Sequence, residues 1–186
     1  VIDTRTKKSV TIQNEILRSH QEVEIANFLY LNNIEYEYEP IYQYNIQYSH
    51  KPYTPDFVIY QNGKIAYIEH FGITENGKND RYSQDELEQY KKAINDKIKL
   101  HKQHDTTLIY TFSVYNDGKP LTEHLQEALE AKGFELKPRS NKEVMELLVA
   151  GEENRYVRKL INLICRFISN FKVNGYNAVS YTHLRA

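Results

Sequence analysis

Hydrophobic spacing along the chain alternates between a helical and a strand period. Residues 1 to 14 are polar and β-leaning, with Val10 and Ile12 alternating against Thr11 and Gln13, and predict a lead-in strand. Ile16, Val23, Ala26, Leu29 and Tyr30 then recur at about helical spacing until Asn32-Asn33 stops the run. This predicts a helix from about Ser19 to Leu31, with Ser19 as cap and Glu22 at the capping-box position. Ile34 to Glu39 alternates strictly and ends at Pro40, the mark of a half-buried strand with acids outward. Phe57–Tyr60 and Lys64–Glu69 flank Gln61-Asn62-Gly63 and read as a hairpin. After a polar loop from Thr74 to Ser83, a long helix from about Gln84 to Gln103 carries Leu87, Tyr90, Ile94, Ile98 and His101 on one stripe.

A buried strand follows over Thr107–Phe112, then the turn Asn116-Asp117-Gly118 and a helix from about Leu121 to Ala131 closed by Gly133. A short strand is expected at Phe134–Leu136. The order helix, three strands, helix, strand, helix, strand predicts a mixed α/β (α+β) layer fold over residues 15–140. Residues 141–178 are helical in pattern. Their wide apolar stripe, from Val144, Leu147 and Leu148 to Leu160, Ile164, Phe167, Ile168 and Phe171, predicts packing on something outside the fragment, and Gly151 is expected to divide two helices.

Composition narrows the function classes. Lys and Arg number 24 against 25 Asp and Glu, a formal net charge of −1, so no global basic field announces nucleic acid and any charged site must be local. One cysteine, Cys165, excludes an intrachain disulfide framework and fits a reducing, cytoplasmic setting; inside an apolar helix it is expected to be a buried, inert thiol. No apolar run approaches the roughly 18 residues that cross a bilayer, so no membrane partner is expected. The first residue is not Met, and residues 179–186, Val-Ser-Tyr-Thr-His-Leu-Arg-Ala, look like the translation of a sequencing-library adaptor, so a fragment is expected. There is no phosphate loop, nucleophile elbow or dinucleotide fingerprint.

Candidate chemistry centres on two acids. Pro55-Asp56 enters one hairpin strand and Glu69 leaves the next, a placement that can bring both carboxylates to one hard divalent cation. Such an ion keeps positions for water and a phosphate oxygen, polarises phosphorus and lowers the pKa of the attacking water. A turn Asp and a solvated strand-end Glu compete with this reading. Glu22 lies on the helical face of Ala26 and Leu29, where an auxiliary acid competes with a simple capping role. Lys97, one turn from His101, is either a snorkelling surface lysine or a cation that steadies developing phosphorane charge. Lys91, Lys92, Lys97, Lys99 and Lys102 form a local basic strip suited to DNA phosphates, or a solvated helix face. His101 and His104 are three apart without a third metal-spaced ligand, which favours structural histidines.

The run of a helix with Glu22, a strand, Pro55-Asp56, Glu69, a helix and a strand resembles the PD-(D/E)xK restriction-endonuclease-like fold. Arg18-Ser19-x-x-Glu22-x-x-Ile25-Ala26-Asn27-Phe28-Leu29, Tyr36–Glu39, Tyr53-x-Pro55-Asp56-Phe57 and Tyr67-Ile68-Glu69-His70-Phe71-Gly72 look more closely like the nuclease-like segment of some bacterial UvrD/Rep-type superfamily 1 helicases. The similarity covers about Ser19 to Ser113, and residues 141–176 resemble helical sequence leading back into such a helicase. The resemblance implies DNA as partner, Mg²⁺ or Mn²⁺ on Asp56 and Glu69, catalysis by Asp56, Glu69, Lys97 and Glu22, and an ATP-hydrolysing motor in the rest of the parent helicase chain, outside this sequence. The family pattern places Lys two residues after the second acid, where this chain has Phe71. Either the lysine has migrated to the following helix, with Lys97 as candidate, or the domain binds DNA without cutting it. A structural insertion that does neither is a third reading.

Overall fold

A computed structural model describes residues 9–46 and 51–173; the octapeptide 179–186 lies outside the described residues. Two short strands, β1 (Ser9–Val10) and β2 (Ile16–Leu17), pair antiparallel ahead of helix α1 (His20–Leu31). Strands β3 (Glu35–Tyr38), β4 (Phe57–Gln61) and β5 (Lys64–Thr74) follow, then helix α2 (Gln84–Gln103), strand β6 (Leu108–Val114) and helices α3 (Leu121–Ala131) and α4 (Asn141–Val173). The four-stranded sheet has the order β3-β4-β5-β6. Its first three strands are antiparallel, while β6 runs parallel to β5, a connection that needs the long α2 crossover. The fold is therefore mixed α/β, a sheet flanked by helices.

Local chemistry sets the boundaries. Ser19 caps α1 by accepting from the Glu22 amide, and Ser83 and Glu86 form a reciprocal capping box on α2. Asn62 and Gly63 turn β4 into β5 with φ of 50° and 77°, the two left-handed residues of a tight hairpin turn. Gly133, at φ 75°, ends α3, and the Phe134 amide reaches back to the Leu129 carbonyl.

The two faces of the sheet are built differently. Phe57 and Ile59 of β4, Ala66 and Ile68 of β5 and Ile109 of β6 point to one face. There they pack against Ile25, Ala26 and Leu29 of α1 and Leu121, Leu125 and Leu129 of α3, all nearly or fully buried. The other face carries Tyr67, Glu69 and Phe71. Tyr67 there packs against Tyr42, Tyr53 and Leu100 of α2.

Three expectations are corrected. Phe134–Leu136 is not a strand: the Gln61 side chain donates to the Glu135 carbonyl and accepts from the Glu135 amide, so one amide side chain does the pairing a neighbouring strand would do. β5 continues to Thr74, which places Glu69 in mid-strand and not at its end. Gly151 does not divide the last helix. Glycine costs a helix interior only about 1 kcal/mol, and no proline follows it in the sequence to end the helix.

The chain separates into two compact units between Asn141 and Lys142. In the second, helix α4 exposes Met145, Val149, Leu160, Leu163 and Phe167. Cys165 is exposed there as well, contrary to the buried thiol expected, on a helix whose apolar residues Leu163, Ile164 and Ile168 are themselves exposed. No helix among the described residues is long and apolar enough to cross a membrane.

Candidate functional site

The hairpin register decides where the acids meet. Phe57 pairs with Ile68 and Val58 with Tyr67, so extending the ladder by one residue puts Asp56 opposite Glu69. Directly opposed residues on antiparallel strands share a face and hold their Cβ atoms about 5 Å apart. Asp56 is fixed by its Oδ2, which accepts from the His70 amide at 2.6 Å. Its own carbonyl accepts from the Glu39 amide, tying this corner to the end of β3.

Glu69 is 1% exposed. A carboxylate so deep needs partners on both oxygens. Lys97 Nζ of α2 donates to Oε2 at 2.6 Å, and the Tyr53 hydroxyl donates to Oε1 at 2.6 Å. The Lys97 side chain is partly exposed, and its ammonium lies 5.5 Å from the Tyr53 ring centroid. Asp56 sits beside this pair with the His70 amide on its Oδ2. Burial and, after it, the Glu69 charge push its carboxyl up to about 7, while the His70 amide and Lys97 pull the other way. Near neutrality burial and the neighbouring Glu69 therefore keep a proton on Asp56.

The remaining side chains fall into two groups. Behind Glu69, Tyr53 also contacts His101 Nε2 at 3.1 Å, and His101 Nδ1 meets Thr106 Oγ1 at 2.8 Å. Both ring nitrogens of His101 are occupied, and His104 stacks instead on Tyr44 with centroids 3.4 Å apart, so the two do not pair on a metal. His70 faces the opposite side of β5, where it bonds Thr111 and Gln21. There burial lowers its pKa to about 4, so it is neutral at pH 7.

Glu22 accepts from the Ser19 hydroxyl, the Arg18 amide and the Tyr38 hydroxyl. It acts on Asp56 through its charge and not through a shared hydrogen bond. The five-lysine strip is also divided by the structure. Lys91, Lys92, Lys99 and Lys102 are exposed, whereas Lys97 turns inward beside Tyr90, Ile94 and His101, because its ammonium is held by Glu69. Phe71, two residues after Glu69, is a buried ring against Tyr110 and Phe112. The ammonium at Glu69 therefore comes from the helix and not from the strand.

Among the described residues, no group of three or more His, Cys, Asp and Glu side chains is arranged to hold a metal ion. Two carboxylates suffice for Mg²⁺, which binds through one or two of them with water and substrate phosphates completing its shell. Burial and the Glu69 charge hold a proton on Asp56, and a divalent ion would take the place of that proton. The donor set fits a hard divalent cation. Sequence reading singled out Asp56, Glu69 and Lys97 and the structure brings them together. Tyr53 was visible only inside the Tyr53-x-Pro55-Asp56 motif, and nothing local signals its bond to a strand residue 16 positions on. No family model, curated protein or solved structure matches the chain.

Proposed function

We propose that residues 15–140 are the nuclease-like domain of a UvrD/Rep-type superfamily 1 DNA helicase and hydrolyse DNA phosphodiester bonds with Mg²⁺ or Mn²⁺. The observation that carries this reading is the β4–β5 register, which opposes Asp56 and Glu69 on one face with Lys97 seated on Glu69. The two carboxylates would hold the ion, which when bound polarises the phosphate and makes its water more acidic. Asp56 must lose its proton to serve, so occupancy of the site is expected to release a proton below about pH 7. Lys97 is anchored on Glu69 by one of its three N–H donors, and the others could meet charge developing on a phosphorane. Glu22 contributes to the field at Asp56 while capping α1. The ATP-driven motor and the rest of the helicase belong to the parent chain, in the cytoplasm.

A second reading is favoured by Phe71. A phenyl ring at the lysine position, and both Glu69 oxygens already engaged by protein donors, suit a domain that has kept the fold and holds DNA without cutting it. One experiment separates the two. Supercoiled DNA is incubated with the chain in Mg²⁺, Mn²⁺ or EDTA, alongside Asp56→Ala. Metal-dependent nicking that Asp56→Ala abolishes supports hydrolysis. Salt-dependent binding with no nicking by either protein supports the binding module, and neither nicking nor binding removes both readings.

A further inference from the structure

Glu69 is the last acceptor of a buried chain of hydrogen bonds whose direction follows from the partners. A carboxylate oxygen only accepts, so the Tyr53 hydroxyl proton, 2.6 Å from Oε1, is committed to Glu69. Tyr53 then has no proton left for His101, and the 3.1 Å contact requires His101 Nε2–H to donate. Burial, with Lys97 adding to it, lowers the His101 pKa to about 4, so its ring is neutral at pH 7 and Nδ1 must accept. The donor is the Thr106 hydroxyl at 2.8 Å, nearer than the His101 carbonyl that competes for its proton at 3.3 Å, and Thr106 in turn accepts from Tyr42 at 2.5 Å. Tyr42, Tyr53 and His101 are 2%, 5% and 1% exposed, and Thr106 between them is half-buried.

We infer that Tyr53 is a positioning residue for the metal-binding carboxylate. It holds Glu69 Oε1 at the end of a relay from Tyr42, Thr106 and His101, while Lys97 holds Oε2, so that both carboxylate oxygens are fixed. The inference rests on the proposed metal site and adds residues to it. It has a physical rationale in two parts. A buried carboxylate held at one oxygen can rotate about its last bond, while one held at both cannot. Partners behind a metal-binding carboxylate also orient it, and their loss typically costs 10–100-fold in metal affinity. The Tyr53 ring packs at 5.4 Å against Tyr42 and 5.6 Å against His101, so Tyr53→Phe removes the hydroxyl and keeps the packing.

The test is Mn²⁺ titration of the full chain, followed by the electron paramagnetic resonance of the free ion. Tyr53→Phe is expected to weaken Mn²⁺ binding roughly tenfold. His101→Gln, whose amide can still donate to Tyr53, should lose less affinity than His101→Leu. Nitrogen-15 spectra of the His101 ring should show the Nε2–H tautomer in the wild type, a readout that a packing role alone would not set. Tyr53→Phe binding Mn²⁺ within twofold of the wild type, while Asp56→Asn loses it, overturns the inference and leaves the metal site standing. Equal losses in His101→Gln and His101→Leu, or an Nδ1–H ring, also overturn it. A wild-type chain that takes up no Mn²⁺ removes the metal site and this inference with it.

Discussion

The two faces of the central sheet obey different rules. On the face toward α1 and α3, Phe57, Ile59, Ala66, Ile68 and Ile109 meet leucines and isoleucines, and nearly all of the contact is hydrocarbon. On the face toward α2, the same strands carry Tyr67, Glu69 and Phe71, and the space is filled by tyrosines, a histidine and a lysine whose polar ends find one another. No buried side-chain nitrogen or oxygen lacks a partner among the described residues, so the polar face is as fully satisfied as the apolar one is packed. The apolar face gains its stability from area, which is non-directional and tolerates small shifts. The polar face gains little net stability per hydrogen bond and fixes directions instead. One sheet can therefore keep its fold from one side and hold a charged constellation on the other.

Breaking the apolar side should have the largest effect. Leu125 is fully buried, midway along the α3 stripe of Leu121, Leu125 and Leu129. Leu125→Ala should cost about 3–4 kcal/mol of unfolding free energy, the transfer term plus the cavity left behind. Urea denaturation measures it. On the proposed metal reading, the affinity of the molecules that remain folded should stay the same, because this side chain belongs to the core on the α1 and α3 side of the sheet. A loss of affinity without unfolding would show that the faces are coupled.

On the polar face the effect is smaller and depends on pH. Asp56 has its pKa raised by burial and by Glu69, so between its ordinary value near 3.8 and about 7 the folded chain keeps a proton that the unfolded chain has lost. Its contribution to stability therefore falls as pH rises through that window and is flat above it. His70 and His101 oppose this. With pKa values lowered to about 4, they leave the folded chain short of protons up to about 6.5, and their contribution rises with pH. Asp56→Asn removes only the first effect and keeps an acceptor for the His70 amide. In EDTA the variant should match the wild type near pH 4 and gain on it progressively, to about 2 kcal/mol above pH 7, where the half-buried carboxylate is charged. Urea midpoints at four pH values would show the trend. A constant offset would mean that Asp56 is not the group that titrates.

Legibility in the sequence followed the range of the interactions. Helices α2 and α3 were readable almost to the residue because period, cap and stop signals are local. The acid pair was readable because a two-residue turn at Asn62-Gly63 makes the positions of paired residues add to a constant, and Asp56 and Glu69 satisfy that sum. Phe134–Leu136 misled because its spacing suits a strand, but the Glu135 backbone is paired by the side chain of Gln61 and not by a strand. The relay to Glu69 was invisible because Tyr42 and Thr106 are 64 residues apart and meet only when α2 crosses the sheet. Lys97 could be ranked as a candidate but not aimed, since a lysine on a helix points wherever its partner is.

That aiming separates Lys97 from its neighbours and sets the smallest effect on stability. At about 100° per residue, Lys91, Lys92, Lys99 and Lys102 fall within about a quarter-turn of the α2 surface, and Lys97 lies more than 100° outside it. The four are exposed, whereas Lys97 is committed to Glu69. Replacing all four with Gln should change unfolding free energy by no more than about 0.5 kcal/mol, since exposed charges of one sign gain little from one another. On the proposed DNA reading the effect appears elsewhere. Each lysine on a phosphate releases a counterion, so losing four should reduce the slope of log affinity against log salt by about 3. Fluorescence anisotropy of labelled DNA at several salt concentrations reads that slope. An unchanged slope would make the strip a solvated helix face and move the phosphate contacts to other residues, leaving Lys97 as the helix's one cation committed to the acid pair.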